Sequence, residues 1–309
     1  MKEATFTITA EDHVEVFVYS WTPDDNTKIM GVVQIFHGMA EHAARYRDFA
    51  AYFAGAGFAV FANDHRGHGK TAGSVENTGY IAGNNSWKSI LADTKLVNDH
   101  IHKILPNVPV IVYGHSMGSF YARAFLELYS GDLAGVVLSG TAWHPALVLG
   151  FGLTVAKIQC FTSGEKHKSK LLDKLSFGAF NKKFKPRATP FDWLSRDVDV
   201  CKKYTADDYC GWVASASFFR ELFRLLKFIH RSALYQLTDT KIPVLIFSGE
   251  DDPVGDFSKG PRKMYEFLSK KGFTNVKLLL YPQGRHEMHN ELNRLEVYKN
   301  MADWLAERL

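Results

Sequence analysis

The sequence predicts an α/β fold with a mostly parallel sheet of eight strands, flanked by helices and interrupted by a helical insertion. Short apolar runs rich in β-branched residues alternate with segments of helical periodicity in both halves of the 309-residue chain. This alternation lapses over residues 141–236, and no low-complexity linker borders that stretch. We therefore expect one α/β core, residues 1–140 and 237–309, into which a helical cap, residues 141–236, is inserted.

The core elements follow in order from the pattern of apolar residues and turn residues. Two segments of alternating polarity open the chain and are typical of an edge hairpin, and six buried runs follow them. The predicted strands are residues 5–9, 14–21, 31–36, 58–62, 110–113, 133–138, 242–247 and 276–281. Core helices are predicted up to Gly55, over residues 87–105, after residue 116, and over residues 261–270 and 291–309.

A Gly-x-Ser-x-Gly motif lies between a predicted strand and a predicted helix. In residues 109–129 the strand ends at Gly114-His115-Ser116-Met117-Gly118, and apolar residues then recur at helical spacing. Such a turn holds a serine hydroxyl exposed in a strained conformation, and a Cβ at either glycine would collide with the neighbouring strand or helix. The motif therefore favours Ser116 as a nucleophile, although the five residues alone also fit an ordinary strand-to-helix turn with a capping serine.

A nucleophilic serine needs a base and an acid, and loops after the last two strands supply candidates in the required order. The acid loop contains Asp252, which Pro253 orients at a Gly-x-x-Asp spacing, and Asp251 is the alternative. The base candidate is His286, which follows Gly284, and His289 could compete with it. The sequence therefore predicts a Ser116, His286 and Asp252 triad.

Two backbone amides are expected to stabilise the oxyanion that forms during acyl transfer. Met117 supplies one at the start of the helix after Ser116, and Met39 supplies the other from the glycine-containing loop after residues 31–36. We expect structural roles for nearby polar residues, namely His37, His42, Asp64, Arg66 and His68.

Charge and composition limit the partners of the protein. The net charge of +4 is too small to indicate nucleic acid, but residues 157–187 contain eight lysines and one arginine against two acids. This basic segment could contact an anionic membrane surface, or it could be a solvated helix face. Residues 1–9 lack a secretory signal pattern and the apolar run 146–156 is too short to cross a bilayer, so we expect a cytoplasmic protein that could also be peripheral at the membrane.

Two further observations concern the insertion. The three cysteines, Cys160, Cys201 and Cys210, have no metal-ligand spacing, and free thiols are favoured over a Cys201–Cys210 disulfide.

The last part of the insertion, residues 214–237, has an apolar stripe wider than one packed face needs. It could pack on the core or line an acyl-chain pocket. The candidates for that pocket are Phe218, Phe219 and Leu222.

With these residues identified, the chain resembles the monoacylglycerol lipase and lysophospholipase branch of the α/β-hydrolase superfamily, often labelled serine aminopeptidase S33-like. The matching motifs span nearly the whole sequence, and residues 186–197 look like the bacterial members. The motifs are HGMAEH (37–42), DHRGHG (64–69), GHSMG (114–118), GEDDPVG (249–255) and GRHEMHNE (284–291).

The resemblance implies a Ser116, Asp252 and His286 triad, oxyanion amides at Met39 and Met117, and a cap over residues 141–236. Met39 stands where the family often has a smaller residue, which would narrow the acyl pocket. We therefore expect a serine hydrolase of single-chain lipid esters, either monoacylglycerols or lysophospholipids, that needs neither a metal nor an organic cofactor. The alternatives are a soluble short-chain esterase, peptidase or thioesterase with the same triad, and a non-catalytic binding protein on the same fold.

Overall fold

A computed structural model describes residues 1–25, 27–231, 235 and 238–308. Within them, eight strands form one sheet in the spatial order β1-β2-β4-β3-β5-β6-β7-β8. The hairpin β1–β2 is antiparallel and pairs antiparallel with β4, while all other pairs are parallel. The strands are β1 (Lys2–Thr9), β2 (Glu15–Thr22), β3 (Gly31–Phe36), β4 (Phe58–Asn63), β5 (Val110–His115), β6 (Gly135–Ser139), β7 (Val244–Gly249) and β8 (Val276–Tyr281). The predicted fold class is confirmed.

Helices cover both faces of the sheet because its central strands are apolar on both sides. Ile111 and Leu245 pack toward the first and last helices, whereas Val112 and Ile246 pack toward the helices of the other face. The helices are α1 (Arg47–Gly55), α2 (Trp87–Ile104), α3 (Met117–Tyr129), α4 (Ala146–Ser163), α5 (Lys170–Phe177), α6 (Val198–Ala206), α7 (Ala216–Ile229), α8 (Lys259–Lys270) and α9 (Arg294–Ala306).

The last helix begins three residues later than the sequence predicts, at Arg294 instead of residue 291. The Glu291 carboxylate is buried and accepts hydrogen bonds from the backbone N–H groups of Arg285 and Arg196, both at 3.0 Å. Glu291 therefore anchors the loop that precedes the helix instead of forming its first turn. This anchor ties the loop after β8 to the cap.

The cap segment supplies α4 to α7, which lie between β6 and β7 along the chain. Its predicted end at Gln236 and the predicted restart of the core at Leu237 lie outside the described residues. The first cap helix is longer than the apolar run that the sequence shows at this place. The apolar run 146–156 continues as α4 to Ser163, and this helix is the single one in the described part of the chain that is long and apolar enough to cross a membrane by length and composition.

The cap helices pack closely on one another, and their apolar side chains pack on the core. A Cβ added to Gly152 of α4 would lie 2.6 Å from the Phe223 ring of α7, so the two cap helices are in close contact there. Buried residues of α7, such as Phe218 and Leu225, belong to the same apolar cluster as Phe120 and Phe125 of α3. The three cysteine thiols are free, as the sequence predicts.

Candidate active site

Ser116 lies in the sharp turn between β5 and α3. Its backbone is strained, with φ of 52° and ψ of −120°, a region that residues with a Cβ rarely adopt. The turn is possible because the flanking glycines are in close contact with backbone. A Cβ on Gly118 would lie 1.9 Å from the Phe36 carbonyl oxygen, and one on Gly114 would lie 2.4 Å from the Gly118 carbonyl oxygen. The predicted collision at both glycines is confirmed.

His286 and Asp252 meet at the same edge of the sheet as Ser116. The loop after β7 carries Asp252, whose carboxylate oxygens both lie 3.0 Å from His286 Nδ1. Both side chains are buried, and the Val254 N–H donates to the carboxylate at 2.8 Å. Because an ionised carboxylate only accepts hydrogen bonds, the imidazole carries its proton on Nδ1 and leaves Nε2 free to accept one.

Ser116 and His286 both line one large cavity, whose volume is about 810 Å³. The space for the imidazole depends on Gly140 in the loop after β6. A Cβ there would lie 2.9 Å from Cε1 of His286, and Gly140 has φ of 58°. The structure thus brings together the three residues that the sequence predicts as a triad.

The alternative acid and base of the sequence lie elsewhere. Asp251 forms a surface ion pair with Lys183 at 2.5 Å. His289 is buried and stacks on the Tyr46 ring at 4.6 Å between centroids, and its Nδ1 lies 3.3 Å from the Tyr113 hydroxyl oxygen. Burial lowers the pKa of His289 to about 3, so this imidazole is neutral at physiological pH.

The carbonyl of the peptide that joins Gly38 to Met39 is fixed by a hydrogen bond, and Met39 lines the cavity. His37 Nε2 accepts a hydrogen bond from the His65 N–H at 2.9 Å, so its proton is on Nδ1, which donates to the Gly38 carbonyl at 2.8 Å. In a trans peptide the following N–H points the opposite way. A Cβ on Gly38 would lie 3.2 Å from Ser116 Cβ, which places the loop beside the nucleophile. This geometry fits an oxyanion donor at Met39.

A buried ion cluster connects this loop to the histidine loop, and the sequence did not reveal it. The Glu41 carboxylate accepts hydrogen bonds from Gly38 N–H and from Arg45, both at 2.5 Å. Arg45 also binds Glu287, the neighbour of His286, through two hydrogen bonds of 2.7 and 2.8 Å. Burial alone would raise the pKa of Glu287, but Arg45 more than offsets this and lowers it to about 2.

The sequence also missed two aromatic neighbours of His286. The His115 ring lies 4.7 Å and the Trp193 ring of the cap 5.1 Å from the His286 ring, measured between centroids. The cap backbone binds the histidine loop as well, because the Trp193 carbonyl accepts from His286 N–H at 3.3 Å and the Leu194 carbonyl from Glu287 N–H at 2.7 Å. His115 is inside the elbow motif, but only the folded cap brings Trp193 here.

One of the three predicted pocket residues lines the cavity. Leu222 does so, together with its neighbours Phe223 and Leu226. Phe218 and Phe219 do not line the cavity, so the sequence prediction is wrong for these two residues. Phe218 packs against Trp212 and His68, and Phe219 lies behind the cavity wall against Phe177 and Phe223. The apolar stripe of α7 therefore has both of the roles that the sequence left open. Leu222 lines the cavity, whereas Phe218 packs on the core.

The cavity wall is mostly apolar and comes from cap and core together. The residues of α4, α5 and α7 that line it are Val148, Leu149, Phe151, Gly152, Leu172, Asp173, Leu175, Ser176, Phe177, Leu222, Phe223 and Leu226. Its acidic lining residues are Glu41, Asp173, Asp256 and Glu287, and none of the described lining residues is a lysine or an arginine. A chain of methylene groups fits such a wall, and a bound anion would meet no cationic side chain.

The chain is similar over nearly its whole length to known lipases and esterases. Residues 27–293 match the family model described as serine aminopeptidase, S33. A monoacylglycerol lipase of Mycolicibacterium smegmatis is 29% identical over 94% of this chain and 92% of its own length. The monoglyceride lipase of Homo sapiens is 26% identical, with 95% and 87% covered.

Solved structures have the same fold. A thermostable carboxyl esterase from Bacillus coagulans, solved in complex with glycerol, superposes with a TM-score of 0.90 at 26% identity and covers 100% of this chain and 99% of its own. A soluble variant of the monoglyceride lipase from Saccharomyces cerevisiae superposes with a TM-score of 0.76 at 17% identity, with 98% and 94% covered.

Proposed function

Because the chain belongs to the serine aminopeptidase S33 family of hydrolases, we propose that it hydrolyses monoacylglycerols through Ser116, His286 and Asp252. The observation that carries this proposal is the strained Ser116, which lines a mostly apolar cavity together with a histidine that is hydrogen-bonded to a buried aspartate. The curated relatives named above are lipases of monoacylglycerols, which supports the same substrate class.

In the proposed mechanism His286 Nε2 takes the proton of the Ser116 hydroxyl while its oxygen attacks the ester carbonyl. Asp252 holds the imidazole and stabilises its charged form. The Met39 and Met117 amides donate to the oxyanion of the tetrahedral intermediate. His286 then gives its proton to the leaving glycerol oxygen, and the acyl chain remains on Ser116. Water attacks the acyl-enzyme by the same route and releases the fatty acid and the free serine.

The charges around the cavity favour a neutral head group over a phosphate-containing one. Asp173 lines the cavity half-buried, and no lysine or arginine is among the described lining residues. The phosphate of a lysophospholipid would lie near the acidic lining residues without a cationic side chain to pair with. The glycerol head group of a monoacylglycerol carries no charge and avoids this cost. We therefore infer monoacylglycerol as the substrate and place lysophospholipids, the other class that the sequence predicts, second.

We also propose that the cap contacts an anionic membrane surface. On α4, Leu147 is 89% and Phe161 is 92% exposed, and Leu171 and Leu175 of α5 are exposed as well. These exposed apolar side chains all belong to cap helices, and the lysine-rich segment 157–187 includes three of them, Phe161, Leu171 and Leu175. Apolar insertion combined with lysine attraction is how peripheral proteins bind lipid surfaces. Such contact would place the cap where a poorly soluble substrate is concentrated.

The test of the function uses purified protein with a panel of glycerol esters from acetyl to oleoyl, and with lysophospholipids that carry an oleoyl chain. We expect kcat/KM to rise with acyl length and to be highest for oleoylglycerol. Ser116→Ala should lower kcat by about 10⁴-fold or more and abolish labelling by a fluorophosphonate probe, because the nucleophile is lost.

Each alternative has its own outcome in that test. Activity confined to acetyl and butyryl esters would indicate a short-chain esterase, and turnover of aminoacyl amides or thioesters in preference to glycerol esters would indicate a peptidase or thioesterase. Wild-type protein that binds oleoylglycerol without turnover or labelling would be a binding protein. Hydrolysis that persists in Ser116→Ala would rule out the proposed nucleophile.

A further inference from the structure

We propose that His42, Asp207 and Cys210 form a zinc site that joins the cap to the core. His42 Nε2, an Asp207 carboxylate oxygen and Cys210 Sγ all lie within 4.8 Å of one another. His42 follows the loop that carries Met39, whereas Asp207 and Cys210 follow α6 in the cap. The cluster therefore spans the contact between the two parts of the molecule.

The local backbone puts the donor groups on one side. The Asp207 carbonyl accepts the Cys210 N–H at 2.9 Å, which makes a turn that brings carboxylate and thiol together. One Asp207 oxygen accepts the Tyr209 N–H at 2.9 Å, and the other lies 2.9 Å from His42 Nε2. Each of the three side chains thus already faces a common point without a change of backbone.

The cap segment around this cluster is bonded to the core loop next to it. The Ala40 carbonyl accepts hydrogen bonds from the Gly211 N–H at 3.0 Å and from the Tyr204 hydroxyl at 2.7 Å. Gly211 directly follows Cys210, and Ala40 lies two residues before His42. Because both sides of the cluster are held in this way, binding a metal ion would need little ordering of the chain.

The distances fit a tetrahedral ion after a small adjustment. With zinc bonds near 2.0 Å to nitrogen and oxygen and near 2.3 Å to sulfur, tetrahedral ligands are about 3.3 to 3.6 Å apart. The His42–Asp207 pair would open slightly from 2.9 Å, and the sulfur would move by at most about 1.2 Å. The Asp207 side chain is 34% exposed, so water can reach the fourth position.

The types of donor atom in the cluster determine which metal ion it would prefer. One thiolate, one imidazole and one carboxylate suit Zn²⁺, whereas Ca²⁺ and Mg²⁺ need oxygen ligands. Binding replaces the proton of the thiol, which is released to solvent, and Zn²⁺ remains in its ordinary oxidation state.

The test begins with protein freed of metal by chelation and dialysis. Equilibrium dialysis should show one zinc ion per chain at low micromolar free zinc, and cadmium should produce a thiolate-to-metal charge-transfer band. At zinc about 100-fold above the dissociation constant, Tm should rise by roughly 4 °C, because the ion binds only the folded chain.

Variants then assign the ligands. Cys210→Ser should abolish the cadmium band and weaken zinc binding about 100-fold, and Asp207→Asn and His42→Gln should each weaken it at least about tenfold. Cys201→Ser is the matched control, because Cys201 is the other buried thiol of the same cap cluster and donates to the Ser195 carbonyl. This control should bind zinc like the wild type. Circular dichroism without metal shows which variants fold.

Specific results of these measurements would contradict the zinc site. Wild-type protein that binds no zinc at about 100 μM, or a cadmium band that survives in Cys210→Ser, overturns the proposal. Should Cys210→Ser not fold, Asp207→Asn decides, because its side chain is partly exposed, and unchanged zinc affinity in that variant also overturns it. None of these readouts depends on ester hydrolysis, so they are independent of the proposed function.

Discussion

At the scale of single residues, proton positions are dictated by hydrogen bonds to groups that can act in one way only. A carboxylate accepts, so Asp252 places the His286 proton on Nδ1. A backbone N–H donates, so His65 places the His37 proton on Nδ1, where it holds the Gly38 carbonyl. One imidazole is thereby prepared to act as a base and the other to orient a peptide.

The two candidate base histidines can be separated by substitution. His286→Ala should lower kcat on a glycerol ester by about 10⁴-fold, because no other group would take the Ser116 proton. His289→Phe should keep activity within about tenfold of wild type, because an aromatic ring can still stack on Tyr46. Steady-state kinetics on both variants, with circular dichroism to check folding, make the comparison, and the reverse ranking would assign the base to His289.

At the scale of elements, the cap completes the site. Trp193 and Leu194 accept hydrogen bonds from the histidine loop, and the helices and loops of the cap together supply most of the apolar cavity wall. The outer surface of α4 remains without a partner among the described residues, as the exposure of Leu147 and Phe161 shows. One helix therefore lines the cavity on one side and presents apolar side chains on the other.

Removing the outer apolar side chains should weaken membrane binding and leave chemistry intact. The double substitution Leu147→Ser and Phe161→Ser removes two exposed apolar groups, and each such group contributes about 1.5 to 3 kcal/mol when it is inserted into lipid. We expect the affinity for anionic phospholipid vesicles, measured by co-sedimentation, to fall by at least about 100-fold. Hydrolysis of a soluble butyryl ester should not change, because neither side chain lines the cavity.

The matched control is Leu295→Ser on α9, where Leu295 is 66% exposed on the core. This variant should bind vesicles like the wild type. Raising the salt concentration should weaken wild-type binding, since lysine attraction to lipid is screened. Vesicle binding that is insensitive to both the cap substitutions and salt would contradict the proposed membrane contact.

At the scale of the whole molecule, buried neutral histidines make the fold sensitive to acid. His65, His68 and His289 are buried, and burial lowers their pKa values to about 3, 4 and 3. In the unfolded chain these imidazoles bind protons below pH about 6.5. Between about pH 6.5 and pH 4 the unfolded state therefore binds more protons than the folded state, and stability falls as the pH falls.

The free energy of unfolding should thus decrease from pH 8 to pH 5. Each of the three histidines contributes a loss of roughly 2 kcal/mol at pH 5. Glu127 opposes them, because burial raises its pKa to about 7 and the folded carboxyl gains a proton first, which offsets roughly 2 kcal/mol. His144 and His230, whose pKa values burial lowers to about 4, act in the same direction as the three histidines, so urea unfolding at pH 8, 6.5 and 5 should show a progressive loss of stability.

A substitution in the histidine cluster checks the cause. His68 packs against Trp212 and Phe218, so His68→Phe keeps an aromatic ring while removing one titrating group. Its stability should depend less steeply on pH than that of wild type. His167→Gln, at an exposed position, should leave the slope unchanged. Stability that increases toward pH 5 in the wild type would contradict the assignment.

Much of the fold could be predicted from local sequence patterns, and so could the candidates for the catalytic residues. Strand periodicity, the glycines around Ser116 and the loops with Asp252 and His286 each involve a few consecutive residues, because a parallel sheet brings the ends of its strands to one edge. A local pattern could not separate Phe218 and Phe219 from Leu222, since all three fall within one apolar stripe. Which side of that stripe meets the cavity depends on how α7 packs.

The sequence alone thus determined the α/β class, the order of the strands along the chain and the candidates for nucleophile, base and acid. Only the tertiary structure decided the cavity wall, the ion cluster of Glu41, Arg45 and Glu287, and the cluster of His42, Asp207 and Cys210 at the cap. Arg45 and Glu287 are 242 positions apart and His42 and Asp207 are 165 apart. The first contact joins two loops of the core and the second joins the cap to the core, and no spacing along the chain encodes either of them.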